Sequence, residues 1–307
     1  MRILIAGASG FIGKNFIKSA HKEWEIWGIY RSNSSFPDFA HDYDNVTAVK
    51  CDLSNISDVQ SVSSKIPGCF DVIIFVWGNS DIALSIQDPI MDLKSNYISL
   101  INLFSCIKTH KFIFMSSGTV YMGHTGGVNP DVTLSPNSPY GINKLACELY
   151  IRFLTEKTER IKGYVNIRFF GAYGPMEPSR KIFTNLIKVF CMENKNEYMV
   201  SGDGKNYIDA MHIDDLMEAL KNIILSNSVN VTVDLCYGRP ITIEALVREI
   251  ADILGVNNLQ LSFQGESREP ITFFASPERF QRFFGFKANI PLESGMLRFK
   301  DYLLRGE

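Results

Sequence analysis

Short runs of apolar, β-prone residues alternate with helix-period segments through the first 170 residues, and this alternation constrains the fold more than any other feature. It predicts strands at 2–6, 26–30, 46–50, 71–77, 111–116 and 164–169, and helices at 11–22, 55–66, 88–109 and 139–160. Residues 71–76 form a nearly continuous apolar run, which is typical of a parallel strand buried on both faces. We therefore predict an α/β fold with a doubly wound parallel sheet, whose ligands gather at the carboxyl ends of the strands.

After residue 170 the rhythm loosens into longer loops and short strands. Helices are predicted near 180–193, 214–226, 242–254 and 292–304. We predict that residues 1–170, with returning segments from about 205–240, form the sheet domain. Residues 171–307 should form mainly a smaller C-terminal α/β lobe, which would bind the substrate.

The composition argues against several classes of protein. The chain has 307 residues, of which 46% are hydrophobic, and a net charge of −2, so nothing favours a nucleic-acid partner. The first predicted strand starts at residue 2 and the apolar runs are short, so neither a signal peptide nor a membrane partner is expected. The six cysteines form no CxxC pair, which is typical of reduced thiols in a cytoplasmic protein.

The stretch GASGFIG, residues 7–13, places three glycines at intervals of three directly after the first predicted strand. Gly7 can turn the chain with a positive φ, Gly10 lets the backbone approach a pyrophosphate, and Gly13 lets the next helix lie close to the sheet. The N–H groups at the start of that helix suit an anion. The predicted site for a dinucleotide diphosphate comprises Gly7, Ser9, Gly10, Phe11, Ile12 and Gly13.

The ends of the next two strands indicate which dinucleotide is bound. Sites for NAD usually present an Asp or Glu to the adenosine ribose after the second strand, whereas this chain has Arg31. An arginine suits a 2′-phosphate better than a diol and so favours NADP(H) over NAD(H), although a solvated surface arginine is the alternative. Asp52 and Leu53 end the third strand, where Asp52 could accept from the adenine amino group or simply cap the next helix.

Tyr140 and Lys144 lie four residues apart at the start of the predicted helix 139–160. They therefore share one face of the helix, close enough for the ammonium to act on the phenol. A phenol with the ordinary pKa of ~10 is a poor base at neutral pH, and the neighbouring cation is expected to lower that pKa. Ser117, at the end of the fifth strand, would hold the same substrate oxygen as Tyr140 while a hydride moves to or from the carbon. Such a Tyr–Lys spacing is also common on helices without any function.

These motifs together resemble those of the extended short-chain dehydrogenase/reductases, in the NAD-dependent epimerase/dehydratase group. The matching stretches are GASGFIG at 7–13, CDL at 51–53, SIQDP at 85–89, SSGTVY at 116–121, SPYGINK at 138–144, RFFGAYGP at 168–175, GDGKNYIDAMHIDD at 202–215, REP at 268–270 and FFGFKANIPLESG at 283–295. The resemblance implies a Rossmann domain that holds NAD(P), and a nucleotide-diphosphate sugar as substrate. It further implies a catalytic set of Ser117, Tyr140 and Lys144, with Tyr140 facing the nicotinamide and Lys144 holding the nicotinamide ribose. It also implies a homodimer built from helices 88–109 and 139–160.

The chain departs from the family's pattern at several positions. Trp77, followed by Gly78, replaces the usual alanine pair after the fourth strand and is expected to make the cofactor wall bulkier. Ile208 stands where nucleotide-sugar epimerases commonly carry a diphosphate-binding arginine. Arg268 matches a second such arginine, and Arg180 could assist it, with surface charges in loops as the alternative. His212 lies among aspartates, but the family tract explains these residues as a strand and a helix start, so no metal site is predicted.

Two reactions remain open for this site. Gly118 and Thr119 stand where dehydratases carry an acidic pair, and Gly118 also stands where some epimerases carry a cysteine base, so both of those reactions are disfavoured. Hydride transfer at one carbinol or ketone carbon remains, most often C4 in this family, as a 4-epimerisation or as the reduction of a 4-keto sugar by NADPH. Arg31 favours the reductase, and the family's usual activity favours the epimerase. A catalytically silent NADPH-binding sensor or scaffold protein is the alternative from another class.

Overall fold

A seven-stranded sheet organises the first of the two units into which the chain divides. The structure is a computed structural model and describes residues 1–265 and 270–306. The first unit comprises residues 1–121, 133–169 and 221–233, and the second comprises 122–132, 170–220 and 234–307. Where returning segments from about 205–240 were predicted, the segment that rejoins the first unit is 221–233, and 122–132 belongs to the second unit. The binding roles of the two units stay a prediction.

The first unit alternates strands and helices. Its strands are β1 (Arg2–Ala6), β2 (Glu25–Tyr30), β3 (Val46–Lys50), β4 (Cys69–Phe75), β5 (Lys108–Ser117) and β7 (Ile161–Phe169). Its helices are α1 (Phe11–Ser19), α2 (Phe36–His41), α3 (Ile56–Ser63), α4 (Ile82–Gln87), α5 (Pro89–Leu93), α6 (Ser99–Cys106) and α7 (Pro139–Lys157). Two further elements, α9 (Ile213–Leu225) and β12 (Val231–Leu235), cross the boundary between the units.

Three details of the first unit differ from the sequence prediction. Helices α2 and α4 have six residues each and were not predicted, because so short a segment shows no clear helical period. The predicted helix 88–109 is α5 and α6 joined by a π-helical turn at Lys94–Ile98. It ends at Cys106, because β5 already begins at Lys108.

The sheet has the strand order β12-β7-β5-β4-β1-β2-β3. The pairs β3–β2, β2–β1, β1–β4, β4–β5 and β5–β7 are all parallel. This is the order of a Rossmann-type doubly wound sheet, so the predicted fold class is confirmed. The order reverses between β1 and β4, and the carboxyl ends of these strands are where such folds bind their ligands.

Both faces of the sheet are buried. On one face, Phe75 and Phe114 belong to a cluster with Leu103 of α6 and Ile151 of α7. Successive residues of a strand point to opposite faces, and Ile5, which faces the other way from its strand neighbours, is also fully buried. Each such side chain stabilises the fold by about 1.5–3 kcal/mol relative to exposure, so the strand ends are held on a rigid frame.

In its described residues, the second unit combines helices with four two-stranded sheets. Its elements are β6 (Thr125–Val128), β8 (Ala172–Tyr173), α8 (Ile182–Ile187), β9 (Glu197–Ser201), β10 (Tyr207–Ile208), β11 (Met211–His212), β13 (Ile241–Thr242), α10 (Ile243–Ile253), β14 (Gln260–Gln264), β15 (Thr272–Ala275), α11 (Glu278–Phe284) and α12 (Leu292–Arg305). Tyr173 stacks on Phe183 with ring centroids 4.5 Å apart, in a core that includes Leu246 and Phe299. The predicted smaller C-terminal α/β lobe is therefore present.

Within residues 1–265 and 270–306, no helix combines the length and the apolar character that crossing a membrane requires.

Candidate active site

The turn after β1 has the backbone that the glycine spacing predicts. Gly7 has a φ of +94°, and a Cβ added there would lie 2.9 Å from the carbonyl oxygen of Val76. A Cβ on Gly13 would lie 2.6 Å from the Gly7 carbonyl oxygen, so α1 starts too close to the turn for a side chain. Gly10 is the N-cap of α1, and within the described residues no side chain caps this helix. Its first N–H groups are therefore available to an anion.

The remaining members of this turn lie where a ligand could reach them. Ser9, Phe11 and Ile12 are half-buried, and Gly10 is exposed. Helix α1 carries no acidic residue in its first turn that would repel an anion. The donor set and its charge therefore fit the diphosphate of a dinucleotide.

The other predicted cofactor residues follow the ends of the neighbouring strands. Arg31 directly follows β2 and is exposed. Asp52 Oδ1 accepts from Ser54 N at 2.9 Å and from Ser54 Oγ at 2.7 Å. Helix α3 is capped by Asn55 instead, so the alternative in which Asp52 caps that helix is wrong. Leu53 is fully buried.

Trp77 follows β4 and is only 7% exposed, because its side chain belongs to the hydrophobic cluster beneath the sheet. Gly78, the next residue, has a φ of +121°. Because the Trp77 side chain is buried, little of its surface is left to contact a cofactor. Its bulk therefore lies mainly on the core side of this strand end and adds little to the cofactor wall.

Ser117, Tyr140 and Lys144 come together in the first unit. Ser138 caps α7 by accepting from the N–H of Gly141, and Pro139 occupies the first helical position, so Tyr140 lies in the first turn. Ser117 is the last residue of β5, and its side chain is near enough to that of Tyr140 to act on the pKa of the phenol.

Lys144 lies one turn further along α7. Its Nζ is 5.6 Å from the centroid of the Tyr140 ring and 5.0 Å from that of Phe114. The same ammonium donates to the carbonyl oxygen of Met115 at 3.0 Å. Tyr140 and Lys144 therefore share one face of α7, as predicted. Ser117, at the end of β5, is the third member of the group.

Burial sets the protonation of this group. Tyr140 is 7% exposed and Lys144 is 5% exposed. Burial raises the pKa of Tyr140 to about 12, although the side chain of Ser117 acts to lower it. Burial also lowers the pKa of Lys144. The expectation that Lys144 brings the pKa of Tyr140 below its ordinary value is therefore wrong for the chain by itself, because desolvation of the phenolate raises that pKa.

A buried ion pair beneath this group was not predicted. Arg168 of β7 donates to Glu148 of α7 through two nitrogens, at 2.8 and 3.2 Å. Arg168 Nη1 also donates to the Tyr121 hydroxyl at 2.9 Å, and Ser116 Oγ donates to Glu148. The sequence does show that Glu148 lies on the same helix as Lys144, one turn further on. No local sequence pattern, however, indicates that Glu148 pairs with Arg168.

The amide of Asn143 was also missed, although it stands inside the SPYGINK stretch. It donates to Asp92 Oδ2 at 2.7 Å and so joins α7 to α5. Both residues are buried polar groups, Asp92 completely so. Their partners could not be read from the sequence, because 51 residues separate the two.

Of the predicted substrate residues, Ser117 belongs to the first unit and Arg180 to the second. Arg180 is exposed and stands two residues before α8. Arg268 lies outside the described residues. His212 uses its Nδ1 to accept from the N–H of Asp214 at 3.2 Å. In the described part of the chain, no group of three His, Cys, Asp or Glu side chains could hold a metal ion.

A comparison with protein families gives this geometry its context. The profile of the NAD dependent epimerase/dehydratase family matches residues 3–233, well over half of the chain. The chain belongs to this family. The predicted membership of the extended short-chain dehydrogenase/reductases is thereby confirmed, and so is the prediction of an NAD(P)-dependent enzyme of this type; the family is NAD-dependent, and the preference for NADP(H) stays a prediction.

Individual members of the epimerase/dehydratase family resemble the chain along most of its length. The chain is 24% identical over 275 residues to a putative UDP-glucose 4-epimerase of Methanocaldococcus jannaschii, and the matched region covers 86% of this chain and 84% of the relative. The UDP-glucose 4-epimerase of Thermotoga maritima, solved with UDP-glucose, matches with a TM-score of 0.87 and 20% identity, over 100% of this chain and 99% of that one. The UDP-glucuronic acid 4-epimerase of Bacillus cereus, solved with UDP-glucuronic acid and NAD, matches with a TM-score of 0.87 and 22% identity over 100% of both chains. At these identities the two structures establish a shared fold.

Proposed function

We propose that the chain is a 4-epimerase of a UDP-sugar, which removes a hydride from C4 and returns it to the opposite face. The observation that carries this proposal is that Ser117 at the end of β5 interacts with Tyr140, while Lys144 lies one turn further along α7 with its Nζ 5.6 Å from the centroid of the Tyr140 ring. Such a group can exchange a proton with a sugar oxygen while the hydride leaves or rejoins the adjacent carbon. The relatives named as UDP-sugar 4-epimerases support C4 as the carbon and uridine as the base.

The chain's own residues would hold the cofactor. The uncapped start of α1 and the glycines at 7, 10 and 13 would bind its diphosphate. Asp52 and Leu53 would lie at the adenine, Trp77 would form part of the wall, and Lys144 would hold the nicotinamide ribose. When bound, the nicotinamide supplies the carbon that takes and returns the hydride and, in its oxidised form, a positive charge.

Tyr140 would act as the acid and the base. In the oxidative half, its phenolate takes the proton of the C4 hydroxyl as the C4–H bond breaks, and in the reductive half its phenol returns the proton to the keto oxygen. Ser117 Oγ would donate to the same sugar oxygen. Because the pKa of Tyr140 is raised to about 12 by burial, the phenol dominates at neutral pH. Positive charge, from Lys144 and the oxidised nicotinamide, is what would populate the phenolate.

A second candidate is a 4-keto-sugar reductase that uses NADPH. Arg31 is exposed at the end of β2, where an acidic residue would serve an NAD site. The protonated Tyr140 also suits a reaction that only delivers a proton to a keto oxygen. A contribution of Arg180 and Arg268 to binding the sugar nucleotide's diphosphate remains a prediction for either reaction.

One assay distinguishes these functions. The purified chain is incubated with NAD or NADPH and with 4-hydroxy and 4-keto forms of UDP-, dTDP-, GDP- and CDP-sugars. An epimerase interconverts C4 epimers with no net change in nicotinamide absorbance. A reductase consumes NADPH stoichiometrically with a 4-keto sugar. Cofactor binding without turnover of any of these sugars would contradict both and leave the sensor or scaffold function.

We expect Arg31→Ala to weaken NADPH binding much more than NADH binding. Loss of a charge-assisted hydrogen bond costs about 1.5–3 kcal/mol, which corresponds to roughly 10–150-fold in Kd. Fluorescence titration of both cofactors measures the effect, and Arg152→Ala, which removes an exposed arginine of α7, is the matched control. Equal weakening of both cofactors, or a wild-type preference for NADH, would show that Arg31 does not read a 2′-phosphate.

We also propose the homodimer that the family resemblance implies, with α7 in its interface. Ile142, Leu149 and Phe153 are 51%, 49% and 48% exposed, and their spacing of seven and four residues places them on one stripe of α7. An exposed apolar stripe is typical of an interface. The wild type should sediment as a dimer at micromolar concentration, and Leu149→Arg with Phe153→Asp should sediment as a folded monomer. A monomeric wild type would refute the proposal.

A further inference from the structure

Asp92, the fourth residue of α5, is a fully buried carboxylate surrounded by amides. Its Oδ1 accepts from Asn79 Nδ2 at 2.8 Å and from Asn96 Nδ2 at 2.9 Å, and its Oδ2 accepts from Asn143 Nδ2 at 2.7 Å. These three donors are neutral. They satisfy the carboxylate oxygens but leave the negative charge in place.

The backbone around this cluster is unusual at two points. Asn96 lies in the π-helical turn at Lys94–Ile98, and such turns occur frequently at functional sites. Gly78 faces Asn96 with a φ of +121°, and a Cβ at that position would lie 2.2 Å from Asn96 Oδ1. Only a glycine there leaves room for the amide that holds Asp92.

Asn143 connects the cluster to the candidate active site. It is 7% exposed and stands three residues after Tyr140 and directly before Lys144. The Asp92 carboxylate also acts on both neighbours through space, because it raises the pKa of Tyr140 and opposes the lowering of the pKa of Lys144 by burial. One buried charge is therefore coupled to both groups.

The other ionisable groups that act on Tyr140 and Lys144 carry less uncompensated charge. Burial raises the pKa of the Cys147 thiol to about 12, which keeps it neutral at physiological pH. Glu148 is paired with Arg168 at 2.8 Å. Among these groups, Asp92 is the carboxylate without an arginine partner.

We propose that Asp92 is a positioning residue of this site, which orients the start of α7 through Asn143 and adds a buried negative charge that disfavours the phenolate of Tyr140 and favours the ammonium of Lys144. The inference rests on the proposed roles of Tyr140 and Lys144. Its consequence is that the proton for the keto oxygen is held ready on Tyr140, and that the oxidative half needs added positive charge.

The substitution Asp92→Asn tests this directly, because it removes the charge and keeps the shape. Asn143 can turn its amide so that its oxygen accepts from the new amide. The onset of Tyr140 ionisation is read from phenolate absorbance of the full chain, as the difference between each protein and the same protein carrying Tyr140→Phe. We expect Asp92→Asn to move this onset to lower pH by ~1 unit, since a buried like charge no longer opposes the phenolate.

Asp88→Asn is the matched control. Asp88 is the exposed N-cap of the same helix, asparagine caps equally well, and the same charge is removed one turn away. This variant should leave the onset unchanged. No shift in a folded Asp92→Asn protein, or an equal shift in Asp88→Asn, would overturn the proposal.

A second variant exchanges the two partners, with Asp92→Asn and Asn143→Asp together. It keeps an amide–carboxylate hydrogen bond between α5 and α7 but moves the charge onto α7, beside Tyr140 and Lys144. The onset of Tyr140 ionisation should then move to higher pH, whereas in Asp92→Asn alone it should move to lower pH. A fall in the onset, or failure of both variants to fold, would overturn the proposal, because the cluster would then serve folding alone.

The spectroscopic readout requires no sugar nucleotide. If the assay of sugar nucleotides finds no turnover but the Tyr140 onset shifts as expected, the proposed function fails and the role of Asp92 stands. If turnover is found, the limb of the kcat/KM profile that reports Tyr140 should move with the same sign as the spectroscopic onset. An unchanged limb beside an unchanged onset would refute the role of Asp92 while leaving the epimerase in place.

Discussion

Tyr140→Phe should reduce the rate of hydride transfer by roughly 10²–10⁴, the usual share of a positioned acid–base group. The ring is 7% exposed and would keep its packing, so the fold and the cofactor affinity should survive. Only the phenol hydroxyl, whose pKa the Ser117 side chain acts to lower, is lost. The measurement is single-turnover hydride transfer, followed through nicotinamide absorbance, on a sugar nucleotide that the wild type converts.

Three further variants separate the roles within this group. Ser117→Ala should lower the rate with little change in cofactor affinity. Lys144→Met should lower both, because its ammonium would serve the phenolate and the nicotinamide ribose. Tyr164→Phe, which removes the hydroxyl of a half-buried tyrosine on β7, is the control and should change neither. Near wild-type transfer by Tyr140→Phe would require another base in place of the Ser-Tyr-Lys set.

Glu148→Gln should destabilise the protein by about 3–5 kcal/mol, because it leaves Arg168 buried without its counter-charge. The two side chains are only 6% and 5% exposed and lie 2.8 Å apart. The free energy of unfolding is measured with urea, and Glu25→Gln is the matched control. Glu25 pairs with Arg2 at half-exposed positions, where water screens the pair and its loss should matter much less.

Replacement of both partners sharpens this test. Glu148→Leu with Arg168→Met removes both charges and substitutes apolar side chains of similar length, so it should cost less than Glu148→Gln alone. The Tyr121 hydroxyl and the Ser116 hydroxyl each lose a hydrogen-bond partner in this variant, and these losses account for the remaining decrease in the free energy of unfolding. A nearly neutral Glu148→Gln would show that the pair does not contribute as a buried ion pair.

Much of the fold and part of the site could be predicted from the sequence, because they depend on local geometry. The spacing of Gly7 and Gly13 already implied a backbone with no room for side chains. The four-residue interval between Tyr140 and Lys144 placed both on one helix face, since a helical turn has 3.6 residues. The parallel sheet followed from the alternation of strands and helices, whereas the order of its strands came from the structure.

The sequence by itself determined the class of fold, through the alternation of strands and helices along the chain. It also determined the glycine turn and the pairing of Tyr140 with Lys144, since each of these arises within one turn or one helix. Only the tertiary structure decided which groups surround that pair. Asp92 meets Asn143 across 51 residues of sequence, and Glu148 meets Arg168 across 20, contacts that exist only once the helices pack on the sheet. The direction of the Tyr140 pKa followed the same rule: the spacing predicted a stabilising cation, whereas burial, which no local pattern reports, raised the pKa instead.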